Sequence, residues 1–264
     1  MIFLGRGVLR EHWSVVSGYR MYARVAERER PADLPPVILV HGLGVSSRYM
    51  TPLAAKLAPT FHVYAPDLPG FGRSDKPKRA LSVSELGATL SRWLQQAGIK
   101  RGLVAGNSMG CQIMVELAHH WPGFICGAVL LGPTMDTTVP HSAGHVWRLF
   151  QDQFFEPPAL VALQAFDYVT NGPIRTVDTF REALRHDMLG RVHLIGAPAV
   201  LMRGEHDPIA SRAWIQQLAI RLPGARMIEV PGAGHALNYN SPGRVAKVIR
   251  ELAARVCQDQ ALQR

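Results

Sequence analysis

Residues 103–110 read Leu103-Val104-Ala105-Gly106-Asn107-Ser108-Met109-Gly110, an apolar run that leads into a serine between two glycines. Such a run is typical of a strand that is buried on both faces. The residues that follow, 109–120, have the spacing of a helix that stops before Pro122. Glycines on both sides of Ser108 allow a tight strand-to-helix turn because they lack a Cβ. The serine would project at a helix N-terminus, where unpaired N–H groups favour negative charge, so Ser108 is a candidate nucleophile.

Short apolar runs of the same kind alternate with helical segments along the chain. Six of them predict strands at 37–40, 61–65, 103–105, 128–131, 199–202 and 227–230. Two earlier runs, 13–16 and 21–26, turn through Ser17-Gly18 and predict a leading antiparallel hairpin. Helices are predicted at 50–57, 83–96, 109–120, 211–221 and 242–256, the second with a capping box of Ser82 and Glu85. The alternation indicates an α/β fold with a mostly parallel sheet flanked by helices.

Residues 134–190 interrupt this alternation, since they contain no strand-like run. Trp147, Phe150 and Phe154 are spaced three and four apart, as on one face of a helix. We therefore predict a small helical cap at 134–190, inserted into a core formed by 1–133 and 191–264. The three aromatic residues are candidates for the wall of an apolar substrate pocket, and core packing explains them equally well.

Composition limits the class of protein. The chain has 264 residues, 47% of them hydrophobic, which is enough for one large core without disulfides. The net charge of +9 comes mostly from scattered arginines, with a loose cluster at Arg20, Arg24, Arg28 and Arg30, and this pattern does not indicate a nucleic-acid partner. Three cysteines without a CxxC pair favour a reducing compartment. The opening Met1-Ile2-Phe3-Leu4 is too short for a signal peptide, and no apolar run is long enough to span a membrane, so a soluble cytoplasmic protein is expected.

A serine hydroxyl becomes an effective nucleophile only when a base takes its proton. Among eleven histidines, His235 is favoured because it follows the last predicted strand, within a glycine-containing turn, at the sheet edge where Ser108 emerges. Asp207 is favoured as the acid that orients this base, since it lies in a short turn after the strand at 199–202. Asp136, which follows the preceding strand, is the runner-up.

An oxyanion hole needs two N–H donors. Met109, directly after the nucleophile, is expected to provide one. The other is expected from His41-Gly42-Leu43-Gly44, which follows a predicted strand; Leu43 is the first choice and Gly44 the second. His41 is expected to hold this loop by hydrogen bonds and not to act as a second base.

Five segments together resemble the α/β-hydrolase superfamily, in its order and spacing and over nearly the whole chain except the cap. They are His41-Gly42-Leu43-Gly44, the stretch Asp-Leu-Pro-Gly-Phe-Gly-Arg-Ser-Asp at 67–75, the elbow at 106–110, the turn at 204–207 and Gly234-His235. The resemblance implies the α/β-hydrolase fold, with an eight-stranded sheet and a catalytic triad at its carboxyl edge. The elbow is similar to that of the meta-cleavage C–C hydrolases, in which the asparagine before the serine lies near the site, so Asn107 is a candidate substrate contact. After His235, however, the chain lacks the tryptophan of those enzymes.

These observations predict a carboxylesterase-like serine hydrolase that acts on small to medium apolar esters through an acyl-enzyme. No cofactor is expected. No metal is expected either, because Gly144 intervenes between His141 and His145 and no carboxylate follows them. Three alternatives stay open: a C–C bond hydrolase of the meta-cleavage type, a perhydrolase-like enzyme, and a ligand sensor that retains the triad with slow turnover. The sequence does not predict an oligomeric state.

Overall fold

The computed structural model describes residues 9–27, 34–139 and 141–262. The opening residues Met1 to Leu4, and Arg28 and Arg30 of the basic cluster, lie outside the described residues. The described strands form one eight-stranded sheet in the order β1-β2-β4-β3-β5-β6-β7-β8. The strands are β1 (Arg10–Val16), β2 (Tyr19–Ala26), β3 (Val37–Val40), β4 (Val63–Pro66), β5 (Gly102–Asn107), β6 (Ile125–Leu131), β7 (Ala199–Gly204) and β8 (Arg226–Val230).

The sheet is mixed but mostly parallel. Strand β1 pairs antiparallel with β2, and β2 pairs antiparallel with β4, whereas the five remaining pairs are parallel. The predicted hairpin is present, with both Ser17 and Gly18 at positive φ in its turn. The predicted fold class, an α/β-hydrolase fold with an eight-stranded sheet, is confirmed.

Helices cover both faces of the sheet. They are α1 (Thr51–Leu57), α2 (Val83–Gln96), α3 (Met109–His120), α4 (Ser142–Asp152), α5 (Pro158–Asn171), α6 (Pro173–Arg185), α7 (Met188–Arg191), α8 (Arg212–Arg221), α9 (Leu237–Asn240) and α10 (Pro242–Leu262). In β3, Ile38 and Val40 belong to the hydrophobic cluster that includes residues of α2, α3 and α8, whereas Val37 and Leu39 belong to the one that includes residues of α1 and α10. This alternation follows from the two-residue period of a strand and gives the protein two hydrophobic cores, one on each face.

Of the helices between β6 and β7, the first three, α4, α5 and α6, are called the cap below. Its α5 helix is tied to the core by polar side chains. Asp167 accepts a hydrogen bond from the Ser46 hydroxyl at 2.7 Å, and Asn171 donates to the Gly44 carbonyl and accepts from the Gly72 N–H, both at 2.8 Å. Among the described helices, none is both long and apolar enough to cross a lipid bilayer.

Candidate active site

The elbow between β5 and α3 carries Ser108. Its φ of 59° and ψ of −126° place a non-glycine residue in a conformation that costs about 1–3 kcal/mol. Glycine is required at positions 106 and 110 because neighbouring backbone atoms lie too close for a side chain. A Cβ on Gly106 would lie 2.6 Å from the Gly110 carbonyl oxygen, and a Cβ on Gly110 would lie 2.3 Å from the Val40 carbonyl oxygen. The Gly-x-Ser-x-Gly pattern is therefore explained by close packing within the turn at Gly106 and of the turn against the end of β3 at Gly110.

His235 follows β8, and Asp207 follows β7. The two meet at the carboxyl edge of the sheet, where Nδ1 of His235 lies 2.9 Å from Oδ2 of Asp207. The other oxygen of Asp207 accepts the N–H groups of Ile209 and Ala210, at 2.8 and 3.0 Å. Because these bonds fix the carboxylate, it directs the proton of the imidazole to Nδ1 and leaves Nε2 as an acceptor.

Ser108 and His235 line the same cavity, at the interface of core and cap. Nε2 of His235 is buried and has no hydrogen-bond partner among the described residues, so the bond to the Ser108 hydroxyl is not formed in this structure. Hydrogen bonds of this kind are often long before substrate binds and tighten only in the complex. The structure thus brings the two side chains to one wall of a cavity without joining them.

Asp136, the second candidate for the acid that orients the base, forms hydrogen bonds with other residues. Its carboxylate is bonded by Arg148 at 2.7 Å, by the Ser211 hydroxyl at 2.6 Å and by Thr138. Burial works to raise the pKa of Asp136, but these hydrogen bonds outweigh it and lower the pKa. These bonds tie the start of the cap segment to Ser211, directly before α8, and His235 is not among the hydrogen-bond partners of Asp136.

The loop that contains Leu43 lies directly against the elbow. A Cβ on Gly42 would lie 3.0 Å from Cβ of Ser108 and 3.5 Å from its hydroxyl oxygen. His41 is fully buried, and its ring nitrogens bond to the Gly42 carbonyl at 2.9 Å and the Leu68 N–H at 3.1 Å. His41 therefore holds the loop, as expected. The N–H groups of Leu43 and Met109 have no hydrogen-bond partner within the described part of the chain, which leaves both available to an oxyanion.

Asn107 lines the cavity, but its amide is engaged with the protein. Its Oδ1 accepts from the Tyr49 hydroxyl at 2.9 Å, and its Nδ2 donates to the carbonyls of Leu131 and His235 at 3.2 and 3.3 Å. The side chain thus joins the elbow to the His235 loop. These bonds hold the two loops together, and the expected contact of Asn107 with substrate stays a prediction.

The aromatic residues expected to line the pocket do not line it. Trp147, Phe150 and Phe154 are 58%, 53% and 73% exposed and contact one another on the outside of the cap, with ring centroids 5.6 and 5.3 Å apart. The opposite side of α4 faces the cavity and contributes Leu149 and Asp152 instead. The helical spacing identified the shared face correctly, but that face points outward.

Three functional residues were missed from the sequence. Asp152 lines the cavity and accepts the backbone N–H of His235 at 3.3 Å, and Glu156 accepts the next N–H, of Ala236, at 2.7 Å. Arg203 donates to the carbonyls of Asp207 and Ala210, at 3.0 and 2.8 Å, and so orders the acid loop. Two acidic residues among aromatic ones, at 152 and 156, were the signal available in the sequence.

The carboxylates around His235 determine its electrostatics. Burial works to lower the pKa of His235, but the charge and hydrogen bond of Asp207, with the charges of Asp152 and Glu156, raise it to about 9. Burial raises the pKa of Asp152 to about 7 and also raises that of Glu156. The site is therefore a buried, predominantly acidic environment with one imidazole at its centre.

The cavity itself is narrow. About 30 Å³ is open to the centre of a water molecule, and on this measure one water needs about 10–15 Å³. Side chains that line the cavity must therefore shift before a molecule larger than a few waters can reach Ser108.

Comparisons with known proteins identify the family. A family model described as "Alpha/beta hydrolase family" matches residues 37–248. The chain belongs to the alpha/beta hydrolase family. A Pseudomonas savastanoi protein that bears the provisional name carbamate hydrolase RutD is 28% identical over 240 residues, which cover 80% of this chain and 90% of that protein. The uncharacterized protein Rv2715 of Mycobacterium tuberculosis is 33% identical over 127 residues, 47% of this chain, and the match spans only 36% of the length of that protein.

Solved structures share the fold. The structure titled Est816 as an N-acyl homoserine lactone degrading enzyme superposes with a TM-score of 0.78 at 21% identity, over 91% of this chain and 99% of that one. The enol-lactonase from Burkholderia xenovorans LB400 gives a TM-score of 0.77 at 22% identity, over the same shares of the two chains. At these identities the likeness shows the fold alone.

Proposed function

We propose that this protein is a serine hydrolase that cleaves carboxylic ester bonds in small substrates, with Ser108 as nucleophile, His235 as base and Asp207 as the orienting acid. The observation that carries the proposal is the hydrogen bonding of the His235 imidazole. Its Nδ1 is held by Asp207, whereas its Nε2 is buried at the wall of the cavity with no partner among the described residues. A buried nitrogen without a hydrogen bond is unusual, and the Ser108 hydroxyl on the same wall is the group suited to restore one.

The mechanism is acyl transfer in two steps. Nε2 of His235 takes the hydroxyl proton as Ser108 attacks the ester carbonyl carbon, and the N–H groups of Leu43 and Met109 stabilise the oxyanion. His235 then returns the proton to the leaving alcohol, which gives an acyl-enzyme. Water, activated by the same nitrogen, attacks the acyl carbon and releases the acid and the free serine.

The shape of the cavity favours small substrates. Its lining combines the aliphatic side chains of Leu43, Val45, Leu149 and Ile209 with the rings of Tyr49 and Tyr168. We assign the predicted cap segment, residues 134–190, as the lid that limits substrate size. A short aliphatic acyl or alcohol group suits these walls, whereas a long acyl chain would have to displace the α4 helix.

The test is hydrolysis of p-nitrophenyl acetate, butyrate and octanoate by the wild type and by Ser108→Ala. The wild type is expected to prefer the two shorter esters. Ser108→Ala is expected to lose activity by about 10⁴-fold or more, because loss of the nucleophile leaves only the oxyanion hole and binding. Ser84→Ala, which removes a serine far from the cavity, serves as the matched control and is expected to retain activity. Full activity in Ser108→Ala would refute the proposal.

The same assay separates the alternatives that use this triad. Disappearance of a dienone chromophore, with no turnover of the esters, would favour C–C bond hydrolysis. Turnover only when hydrogen peroxide is supplied would favour a perhydrolase. A single turnover followed by a stall would favour a ligand sensor.

A further inference from the structure

The cap side of the cavity carries an acidic side chain with one free oxygen. Asp152 is only 2% exposed and ends helix α4 beside His235. Its Oδ1 accepts the backbone N–H of His235 at 3.3 Å. Its Oδ2 has no hydrogen-bond partner in the part of the chain that the structure describes. Because Asp152 lines the cavity that contains Ser108, this oxygen is open to a donor that enters the cavity.

A second acceptor lies on the same wall, on a different helix. Gln164 of α5 is 8% exposed, and its Oε1 is buried without a partner. The side chains of Gln164 and Asp152 both line the cavity that contains Ser108. Two independent cap helices therefore present unsatisfied acceptors to one small space.

The ionisable side chains around this space are mostly acidic. Asp152, Glu156 and Asp207 surround a single histidine, and no lysine or arginine is among the described residues that line the cavity. An anionic substrate group would be repelled here, and a purely aliphatic one would leave both acceptors unpaired. A compact cation with several N–H bonds would satisfy them and balance the charge. An ammonium group has three such donors.

We propose that Asp152 and Gln164 form a subsite for a protonated amino group, so that the preferred ester carries an ammonium a few bonds from its scissile carbonyl. This inference rests on the proposed ester hydrolysis and specifies its substrate class. The ammonium would donate to Oδ2 of Asp152 and Oε1 of Gln164, while the short aliphatic part of the substrate contacts Leu149 and Ile209. Asp152 is then a specificity residue, and its contact with the His235 backbone fixes its position relative to the reacting groups.

The kinetic test compares two isosteric esters, β-alanine methyl ester and methyl butanoate, which differ by an ammonium in place of a methyl group. Methanol release gives kcat/KM for each, and the ratio of the two values is compared between wild type and variants, so that intrinsic reactivity cancels. Asp152→Asn keeps an oxygen for the His235 N–H but removes the charge. It is expected to lower the amino-to-alkyl ratio by about tenfold to a hundredfold. Gln164→Leu is expected to lower it less, because a neutral acceptor is lost.

Glu156→Gln is the matched control. It removes a neighbouring buried carboxylate that bonds to Ala236 but does not line the cavity. The ratio is expected to stay within about threefold of wild type, a change below the tenfold step of one charged hydrogen bond. Equal falls in Asp152→Asn and Glu156→Gln would overturn the subsite in favour of a general effect of negative charge. An unchanged ratio in Asp152→Asn would overturn it outright.

A binding measurement separates this inference from the proposed reaction. Propylammonium chloride is titrated calorimetrically into Ser108→Ala and into the double variant Ser108→Ala/Asp152→Asn, with n-butanol as the uncharged comparison. Saturable binding of propylammonium that is lost in the double variant supports the subsite even if neither ester is hydrolysed. Absence of binding to Ser108→Ala, or equal binding of n-butanol, would overturn it, whatever the esterase assay shows.

Discussion

The Cβ that Gly132 lacks would lie 2.7 Å from Nδ1 of His235, and 3.0 Å from Oδ2 of Asp207. Gly132 directly follows β6 and has a positive φ of 51°. The hydrogen bond between imidazole and carboxylate therefore passes over a position where a side chain has no room. Sequence reasoning assigned no role to Gly132, because a glycine after a strand is an ordinary turn residue.

Gly132→Ala is expected to lower kcat by about 10²–10⁴-fold, since the added methyl displaces the imidazole from its orienting carboxylate. The control is Gly232→Ala, which also alters a glycine at positive φ, 68°, in the loop before His235, but with no atom within 4 Å of the added Cβ. The backbone strain in Gly232→Ala is similar to that in Gly132→Ala, but the added methyl group meets no neighbouring atom. The measurement is kcat for the hydrolysis of p-nitrophenyl butyrate by the two variants. Comparable losses of kcat in both would contradict the steric explanation.

The pH dependence of ester hydrolysis should reflect the acidic surroundings of His235. The base works only in its neutral form, and surrounding carboxylates raise the pKa of His235 to about 9. kcat/KM is therefore expected to increase with pH through neutrality and to level off only in the alkaline range. Glu156→Gln removes one of the charges that raise this pKa, so the rising limb should move to lower pH. A limb that moves to higher pH, or stays in place, would contradict this electrostatic account.

Glu116 connects α3, the helix that begins at the elbow, to the end of the cap segment. It is 1% exposed and is bonded by His186 at 2.8 Å and by Arg191 at 2.7 and 3.2 Å. Burial works to raise the pKa of Glu116, but the hydrogen bonds outweigh it and lower the pKa to about 2. Because the folded-state pKa lies below the unfolded one, the stabilisation is present above the unfolded pKa and is lost as pH falls toward 2.

Glu116→Gln is expected to lower the free energy of unfolding at pH 7 by about 1.5–3 kcal/mol, the range for hydrogen bonds to a charged group. Urea denaturation at pH 7 and at pH 3 measures this. The difference between variant and wild type should be smaller at pH 3, because the carboxyl is then largely protonated in the unfolded state while it stays mostly ionised in the folded one, so part of the stabilisation is already lost. Glu182→Gln, which removes an exposed salt bridge with Arg185, is the control and should have a small effect. An equal penalty at both pH values would argue against an ionised Glu116.

The backbone at Ser108 predicts that the nucleophile destabilises the fold. A positive φ of 59° is unfavourable for any residue with a Cβ and is relaxed by glycine. Both Ser108→Ala and Ser108→Gly remove the hydroxyl, but only glycine removes the strain. Ser108→Gly is expected to have the higher melting temperature of the two inactive variants. A lower melting temperature for the glycine variant would mean that neighbouring contacts relieve the strain at this turn.

The central strands were predictable because a strand buried on both faces must be apolar throughout, as β3 is. The start of β1 was missed, because Arg10, Glu11 and His12 are exposed at the edge of the sheet and interrupt the apolar pattern. In the candidate site, Ser108, Asp207 and His235 could be predicted because each lies in a local turn after a strand. Asp152 and Gln164 could not be identified in this way, since helical spacing shows which residues share a face but not which face turns inward.

The hydrogen bond from Asn171 to the Gly44 carbonyl joins the lid to the loop that presents the Leu43 amide. A swing of α5 large enough to admit an ester must break this bond and free that loop. If the proposed lid opens in this way, the oxyanion loop would be held in place only in the closed form. Turnover in the proposed reaction could then not exceed the rate at which the lid closes.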